Sequence, residues 1–213
     1  MTALAVFDAA LQRAGAGHPT ALTLRDDTGS EHRLDPGTWC CDEVPGDGGL
    51  LDRCAGPTLD VGCGPGRLAA ALTRRGRPAL GIDVSAAAVR LARRRGAVVL
   101  LRNVFDPLPG YGRWQRLLLA DGNIGIGGDP HRLLSRTRDL IARDGRVLVE
   151  ATAPGTRSWA GRADLRHGSG PDMPMRWASV AVPDLPALAA AAALRTVETW
   201  TEAGRWFASL APA

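Results

Sequence analysis

Asp60-Val61-Gly62-Cys63-Gly64-Pro65-Gly66 is the stretch whose reading decides the fold. It follows a short apolar run, residues 58–61. It precedes residues 67–75, where Leu68 and Leu72 share one face of a helix that Gly76 stops. A strand running into glycines and then into a helix start makes a ligand loop. Glycine lets the backbone approach a ligand where a Cβ would collide, and the helix behind it presents unpaired N–H groups. The spacing is G-x-G-x-G, not the G-x-G-x-x-G of dinucleotide binders. Asp60 ends the strand, and a carboxylate there repels a pyrophosphate but suits a cationic amino group or a sulfonium. Asp83 lies 23 residues further on at the end of the next apolar run. That is near the roughly 20 expected of a nucleotide fold, and its carboxylate can accept both hydroxyls of a ribose.

Strand and helix patterns alternate outward from this loop. Residues 79–84, 97–101, 116–120 and 147–151 read as strands. Ser85 caps a helix that Gly96 closes, and Asp129-Pro130 opens a helix to Ile141. Pro183-Asp184 opens an Ala-rich helix, and residues 196–200 and 205–211 form a closing strand pair around Glu202-Ala203-Gly204. This alternation implies an α/β fold with a parallel sheet covered on both faces and an antiparallel edge. Residues 1–57 differ: a helix over 2–14, then a β-hairpin of residues 20–24 and 31–34 that Pro36-Gly37 ends. We divide the chain into a small N-terminal helix and hairpin cap, 1–57, and a main domain, 58–213.

Composition narrows the function. The 213 residues carry a net charge of +4, but all 26 basic residues are Arg, scattered as a coding bias would scatter them. Arg93-Arg94-Arg95 sits where a helix should end, and cations favour that end. Nucleic acid is therefore an unlikely partner. No apolar run approaches the roughly 18 residues of a membrane span, and no segment reads as a targeting signal. Cys40, Cys41, Cys54 and Cys63 include no C-x-x-C pair, so we expect free thiols, no metal, and a cytoplasmic setting.

Leu59 to Gly66 resembles the first motif of the class I S-adenosylmethionine-dependent methyltransferases. Ala79-Leu80-Gly81-Ile82-Asp83-Val84-Ser85 is similar to their second-strand motif, and Leu117-Leu118-Leu119-Ala120-Asp121 to their fourth. Residues 141–149 resemble their fifth. The resemblance implies a Rossmann-like three-layer sandwich with a mostly parallel seven-stranded sheet, its last strand antiparallel. It implies S-adenosylmethionine as cofactor and methyl transfer as the reaction. Asp60, Gly62, Cys63, Gly64 and Gly66 would hold the methionine part, Asp83 and Val84 the ribose, and Asn103 and Val104 the adenine. Many relatives carry Asp where Asn103 stands; the Asn carbonyl or backbone groups can serve the same purpose. Arg67 either reaches the cofactor's carboxylate or is a solvated Arg in a first helical turn.

The stretch Asp121-Gly122-Asn123-Ile124-Gly125-Ile126-Gly127-Gly128 lies, by family position, beside the transferred methyl group. Gly122 and its neighbours would keep the backbone close to the reacting centre. Asp121 or Asn123 would orient a nucleophile, or Asp121 would bind the methionine amino group. His131 is a candidate general base, or a solvent-facing residue of the next helix. No N/D-P-P-[YFW] or Pro-Cys motif follows the fourth strand, which argues against base-amino and cytosine-C5 chemistry. Residues 152–182 are too long for a simple connection and read as a lid with a short strand at 175–182. A small-molecule acceptor is the first reading. An RNA or protein methyltransferase, a nicotinamide-dependent oxidoreductase and a non-catalytic cofactor-binding protein are the others.

Overall fold

A computed structural model describes residues 2–213 of the chain. It opens with helix α1 (Ala3–Gly15), strands β1 (Leu22–Arg25) and β2 (Glu31–Leu34), and short helices α2 (Pro36–Cys40) and α3 (Asp47–Asp52). The main alternation follows: β3 (Thr58–Val61), α4 (Arg67–Arg74), β4 (Ala79–Asp83), α5 (Ala86–Arg94), β5 (Val99–Leu101), β6 (Trp114–Leu119), α6 (Pro130–Leu140) and β7 (Ile141–Ala151). The chain ends with β8 (Trp159–His167), β9 (Met173–Ser179), α7 (Leu185–Ala191), β10 (Leu194–Glu202) and β11 (Arg205–Pro212).

Seven strands form the central sheet in the order β10-β11-β7-β6-β3-β4-β5. Neighbours from β7 to β5 pair parallel, and β11 runs antiparallel to both β7 and β10. This is the mostly parallel sheet with an antiparallel last strand that the alternation implies. Both faces are covered because alternate side chains leave opposite sides of a strand. Leu117 and Leu119 join the layer of Leu133, Leu134 and Leu185 from α6 and α7. Leu118 between them packs with Leu50, Leu68 and Leu72 from α3 and α4. Each such leucine, fully buried, contributes on the order of 1.5–3 kcal/mol. Strand β7 begins earlier than the sequence suggests. Ile141 already faces Trp114, pairing then breaks, and it resumes at Arg146 opposite Arg116. Residues 142–145 bulge out between, so Asp144-Gly145 makes a turn inside the nominal strand.

A second sheet changes the reading of the two remaining segments. Its order is β2-β1-β8-β9. The N-terminal hairpin pairs through β1 with β8, Leu24 facing Leu165. Residues 1–57 and 152–182, read above as a cap and a separate lid, thus supply one four-stranded sheet. The sequence signal missed β8 entirely, because Gly161 and Ala163 weaken its inward row between Trp159 and Leu165. Helix α1 lies against α5, with Leu11 packed on Ala87 and Ala88. Among the described residues no helix is long and apolar enough to cross a membrane.

Gly66 shows how tightly the loop is built into this frame. It has φ +80°, and an added Cβ would lie 2.7 Å from the Ala92 Cβ of α5. Left-handed backbone and overpacking both oppose a side chain there. Gly66→Ala should destabilise the fold by about 2–4 kcal/mol. Urea unfolding checks this; an unchanged midpoint would show that α5 gives way freely.

Candidate functional site

The C-terminal edge of the central sheet opens into one cavity of about 950 Å³, roofed by α1 and the second sheet. That volume is at the top of the roughly 300–1,000 Å³ range of ordinary ligand pockets. Its floor is the glycine loop. Gly62, at φ +68°, runs so close to the segment after β6 that a Cβ would lie 2.9 Å from both Asn123 Nδ2 and Ile126 Cδ1. Asn123 uses the same amide to donate to the carbonyls of Val61 and Gly62, 2.9 Å each. It therefore staples the loop to the segment after β6 through its amide nitrogen. Gly64, at φ +52°, has open space where a Cβ would stand. Cys63 is buried, and it is the reason position 81 is glycine: a Cβ there would meet its Sγ at 2.7 Å. Burial also pushes the Cys63 thiol well above its ordinary value, so it is no nucleophile.

The two acids of the strand ends are buried in different ways. Asp83 accepts from the backbone N–H of Gly64 at 2.9 Å and of Ser85 at 2.7 Å, and lines the cavity beside Val84. Burial holds its carboxyl above the ordinary value, against those two donors. Asp60 is 2 % exposed and its Oδ2 has no hydrogen-bond partner. Burial pushes its carboxyl up to about 7, and the Asp121 charge beside it adds to the rise.

Arg67 does not present its guanidinium as a free ligand for a carboxylate. It is 3 % exposed and is clasped between Asp47, from α3, and Asp121, which it meets through NH2 at 2.6 and 2.8 Å. Arg205 completes the cluster, reaching Asp47 at 2.8 Å, Asp121 at 3.2 Å and Glu150 at 2.7 Å. The backbone N–H of Asp121 donates to Glu150 at 2.6 Å. Asp121 also takes a left-handed φ of +53°, a strained state for a side-chain-bearing residue that these contacts hold in place. Three carboxylates face two guanidiniums, so the cluster carries an excess of negative charge towards the cavity, which both Asp121 and Glu150 line.

Asn103 and Val104 follow β5 and line the cavity with Phe105. The Asn103 Oδ1 accepts from the Phe105 N–H at 3.0 Å, fixing the turn, and leaves one carbonyl lone pair open. Two of the glycines after Gly122, Gly125 and Gly128, make room for the roof rather than for a ligand. A Cβ on Gly125 would lie 2.2 Å from the Ala178 carbonyl, and one on Gly128 would lie 2.8 Å from the Trp177 nitrogen. They let β9 of the roof dock against the core. His131 stands outside the cavity wall, its Nε2 3.1 Å from the Ala191 carbonyl in α7. The sequence instead passed over His32. It lines the cavity from β2, stacks on Trp159 at 5.7 Å, and has its Nε2 3.2 Å from Asp26 Oδ2. A lone His in a short hairpin carries no signal until β8 brings Trp159 beside it. Among the described residues no group of three or more His, Cys, Asp or Glu is placed to hold a metal ion.

Comparison with known proteins agrees with this geometry. Residues 58–109, from β3 through the glycine loop and Asp83 to the turn after Asn103, match the methyltransferase domain family. That match spans the cofactor-loop half of the central sheet, and solved structures extend the likeness in fold to most of the chain. A SAM-dependent methyltransferase from Bacteroides fragilis, solved with S-adenosyl-L-homocysteine, superposes with a TM-score of 0.78 at 22% identity, over 97% of this chain and 94% of that one. Burkholderia thailandensis 1,6-didemethyltoxoflavin-N1-methyltransferase matches at 0.56 and 18% identity, over 78% and 76%. The sugar N-methyltransferase KedS8 from a Streptoalloteichus species matches at 0.57 and 18%, over 77% and 83%. At these identities the likeness is one of fold. No curated protein matches the chain by sequence.

Asp60 makes the stability of the fold depend on pH. Its folded carboxyl titrates near 7, above its unfolded value near 4, so the neutral acid stabilises the fold at low pH and ionisation weakens it. Against an Asp60→Asn variant, wild-type stability should fall as pH rises from about 4 to about 7, by up to about 4 kcal/mol, and level off above. Denaturant melts across that range measure it. A pH-independent difference would mean that Asp60 is ionised throughout.

Proposed function

We propose that this domain transfers the methyl group of S-adenosylmethionine to a small-molecule acceptor held under the roof sheet. The observation that carries the reading is that one cavity holds both parts: the glycine loop and Asp83 lie at one end, and an aromatic wall lies at the other. The residues suit the cofactor. Gly64 leaves an open cradle at the loop, Asp83 offers a carboxylate at the ribose position, and Asp60 keeps a buried oxygen without a partner.

S-adenosylmethionine supplies, when bound, a methyl group on a positively charged sulfur. The surplus carboxylate of the Asp47, Asp121 and Glu150 cluster favours the cationic ammonium end of such a ligand, and the low local dielectric strengthens that attraction. Asp121 and Gly122 line the wall at this point. Val84, Asn103 and Val104 form the side on which a flat base fits. The roof excludes water and holds the acceptor against the loop, so proximity and alignment supply much of the rate. Small-molecule acceptors appear among the proteins of the same fold, toxoflavin precursor and sugar enzymes among them, which supports the same class here. The four free thiols support a reducing, cytoplasmic setting.

S-adenosylhomocysteine should raise the melting temperature, equivalent to about 2.7 kcal/mol at a hundredfold excess over Kd, while NAD should not. Asp83→Asn should weaken S-adenosylhomocysteine by about 10–100-fold in a calorimetric titration, the loss of a charge-assisted hydrogen-bond pattern. Equal affinity in the variant, or a shift with NAD alone, would overturn this reading.

A further inference from the structure

The acceptor end of the cavity has an unusual chemical make-up. Its roof, from α1, β1, β2, α2, β8 and β9, presents Phe7, Leu24, Trp39, Trp159, Met175 and Trp177. Aromatic faces and a thioether make a slot for a flat, apolar molecule. The ionisable side chains that this roof adds to the lining are His32 and Arg176; it adds no carboxylate. A protonated amine would find no carboxylate lining that wall, whereas a developing oxyanion would find the Arg176 guanidinium and an imidazole.

His32 is also fixed more firmly than a surface histidine. It pairs with Leu24 across the hairpin, on the same inward row as Leu165. Its ring stacks on Trp159, the planes 22° apart. Its Nε2 meets Asp26, which is buried and accepts from Thr28 N at 2.9 Å, Thr28 Oγ1 at 2.6 Å and Ser30 N at 3.0 Å. Burial opposes the charge on Asp26, yet these hydrogen bonds and that from His32 hold its carboxyl well below the ordinary carboxylate value. An ionised Asp26 can only accept, so the His32 proton sits on Nε2 and the Nδ1 lone pair is left as the basic site. Arg157, 3.6 Å from Asp26 Oδ2, is the other charged group at this pair.

We propose that His32, held by Asp26, takes the proton from an aromatic hydroxyl of a flat, largely apolar acceptor bound against the roof. The proposal rests on the methyl-transfer reading above and names its acceptor class. The hydroxyl O–H bond breaks and its proton passes to Nδ1. The oxygen forms the new bond to the methyl carbon, and the pair of the broken carbon–sulfur bond stays on sulfur as the neutral thioether. His32 then returns its proton to water. Asp26 steadies the imidazolium between these events, as a buried acid steadies a catalytic histidine.

The test uses the full chain loaded with S-adenosylhomocysteine and 7-hydroxycoumarin as probe, whose neutral and anionic forms absorb at different wavelengths. Below the probe's own pKa, the bound coumarin should show the anion band in wild type. In His32→Gln it should still bind, but with the anion-to-neutral ratio lower by about tenfold or more, while the affinity for S-adenosylhomocysteine stays unchanged. Glucosamine, an ammonium-bearing alternative, should not bind. Four outcomes overturn the proposal: a bound probe that stays neutral in wild type, an anion band that survives in His32→Gln, no coumarin binding at all, or glucosamine binding in its place. If S-adenosylhomocysteine itself fails to bind wild type, the methyl-donor reading falls and takes this one with it. If it binds and only the probe misbehaves, this proposal alone falls.

Discussion

The buried guanidinium of Arg67 is the constraint around which the site is assembled. A charge removed from water is tolerated only when partners surround it. Here the partners come from distant parts of the chain: Asp47 from α3, Asp121 from the end of β6, and through Arg205 also Glu150 on β7 and the start of β11. The cluster therefore ties together the N-terminal segment, the strand ends and the closing antiparallel hairpin. It also fixes the left-handed turn at Asp121, from which the whole segment after β6 departs. That segment clamps the glycine loop on one side, through Asn123, and receives the roof on the other, through Gly125 and Gly128. The shape of the floor and the seating of the roof share one electrostatic origin.

Two acids a few residues from glycines show how position sets chemistry. Asp83 is buried but fully engaged by backbone donors, which orient its carboxylate at the cavity. Asp60 is buried with one oxygen unpartnered and with Asp121 nearby, which favours its neutral form. The same residue type is thus held as a shaped acceptor in one place and pushed towards its neutral form, at a strand end, in the other.

The central sheet was legible in the sequence because each of its elements carries a local signal. Asp129-Pro130 and Ser85 start helices, Gly76 and Gly96 end them, and the apolar runs between them can only be buried strands. The loop and Asp83 were legible because their spacing is a property of one β-α-β unit. What could not be read was anything that depends on pairing between distant segments. The ends of the hairpin 22–34 gave no hint that its free edge would find β8. Arg67 read as a cofactor ligand or a solvated residue because Asp47 and Arg205, its partner and its partner's partner, lie in segments with no motif. The glycines of 122–128 looked like room for a ligand, and are mostly room for β9. His32 had neither a motif nor a neighbour in sequence to mark it.

The roof sheet has a consequence for the order in which the molecule comes together. Leu24 and Leu165 are opposite one another, yet some 140 residues separate them along the chain. The β3-α4-β4 unit that carries the glycine loop and Asp83, by contrast, is contiguous in sequence. Contacts between remote segments form slowly, since the intervening chain must first be confined. That unit can therefore form early, while the N-terminal hairpin waits for β8 to be delivered. During that interval the unpaired edge of β1 is open to any other strand it meets, and the selectivity that the roof will impose does not yet exist.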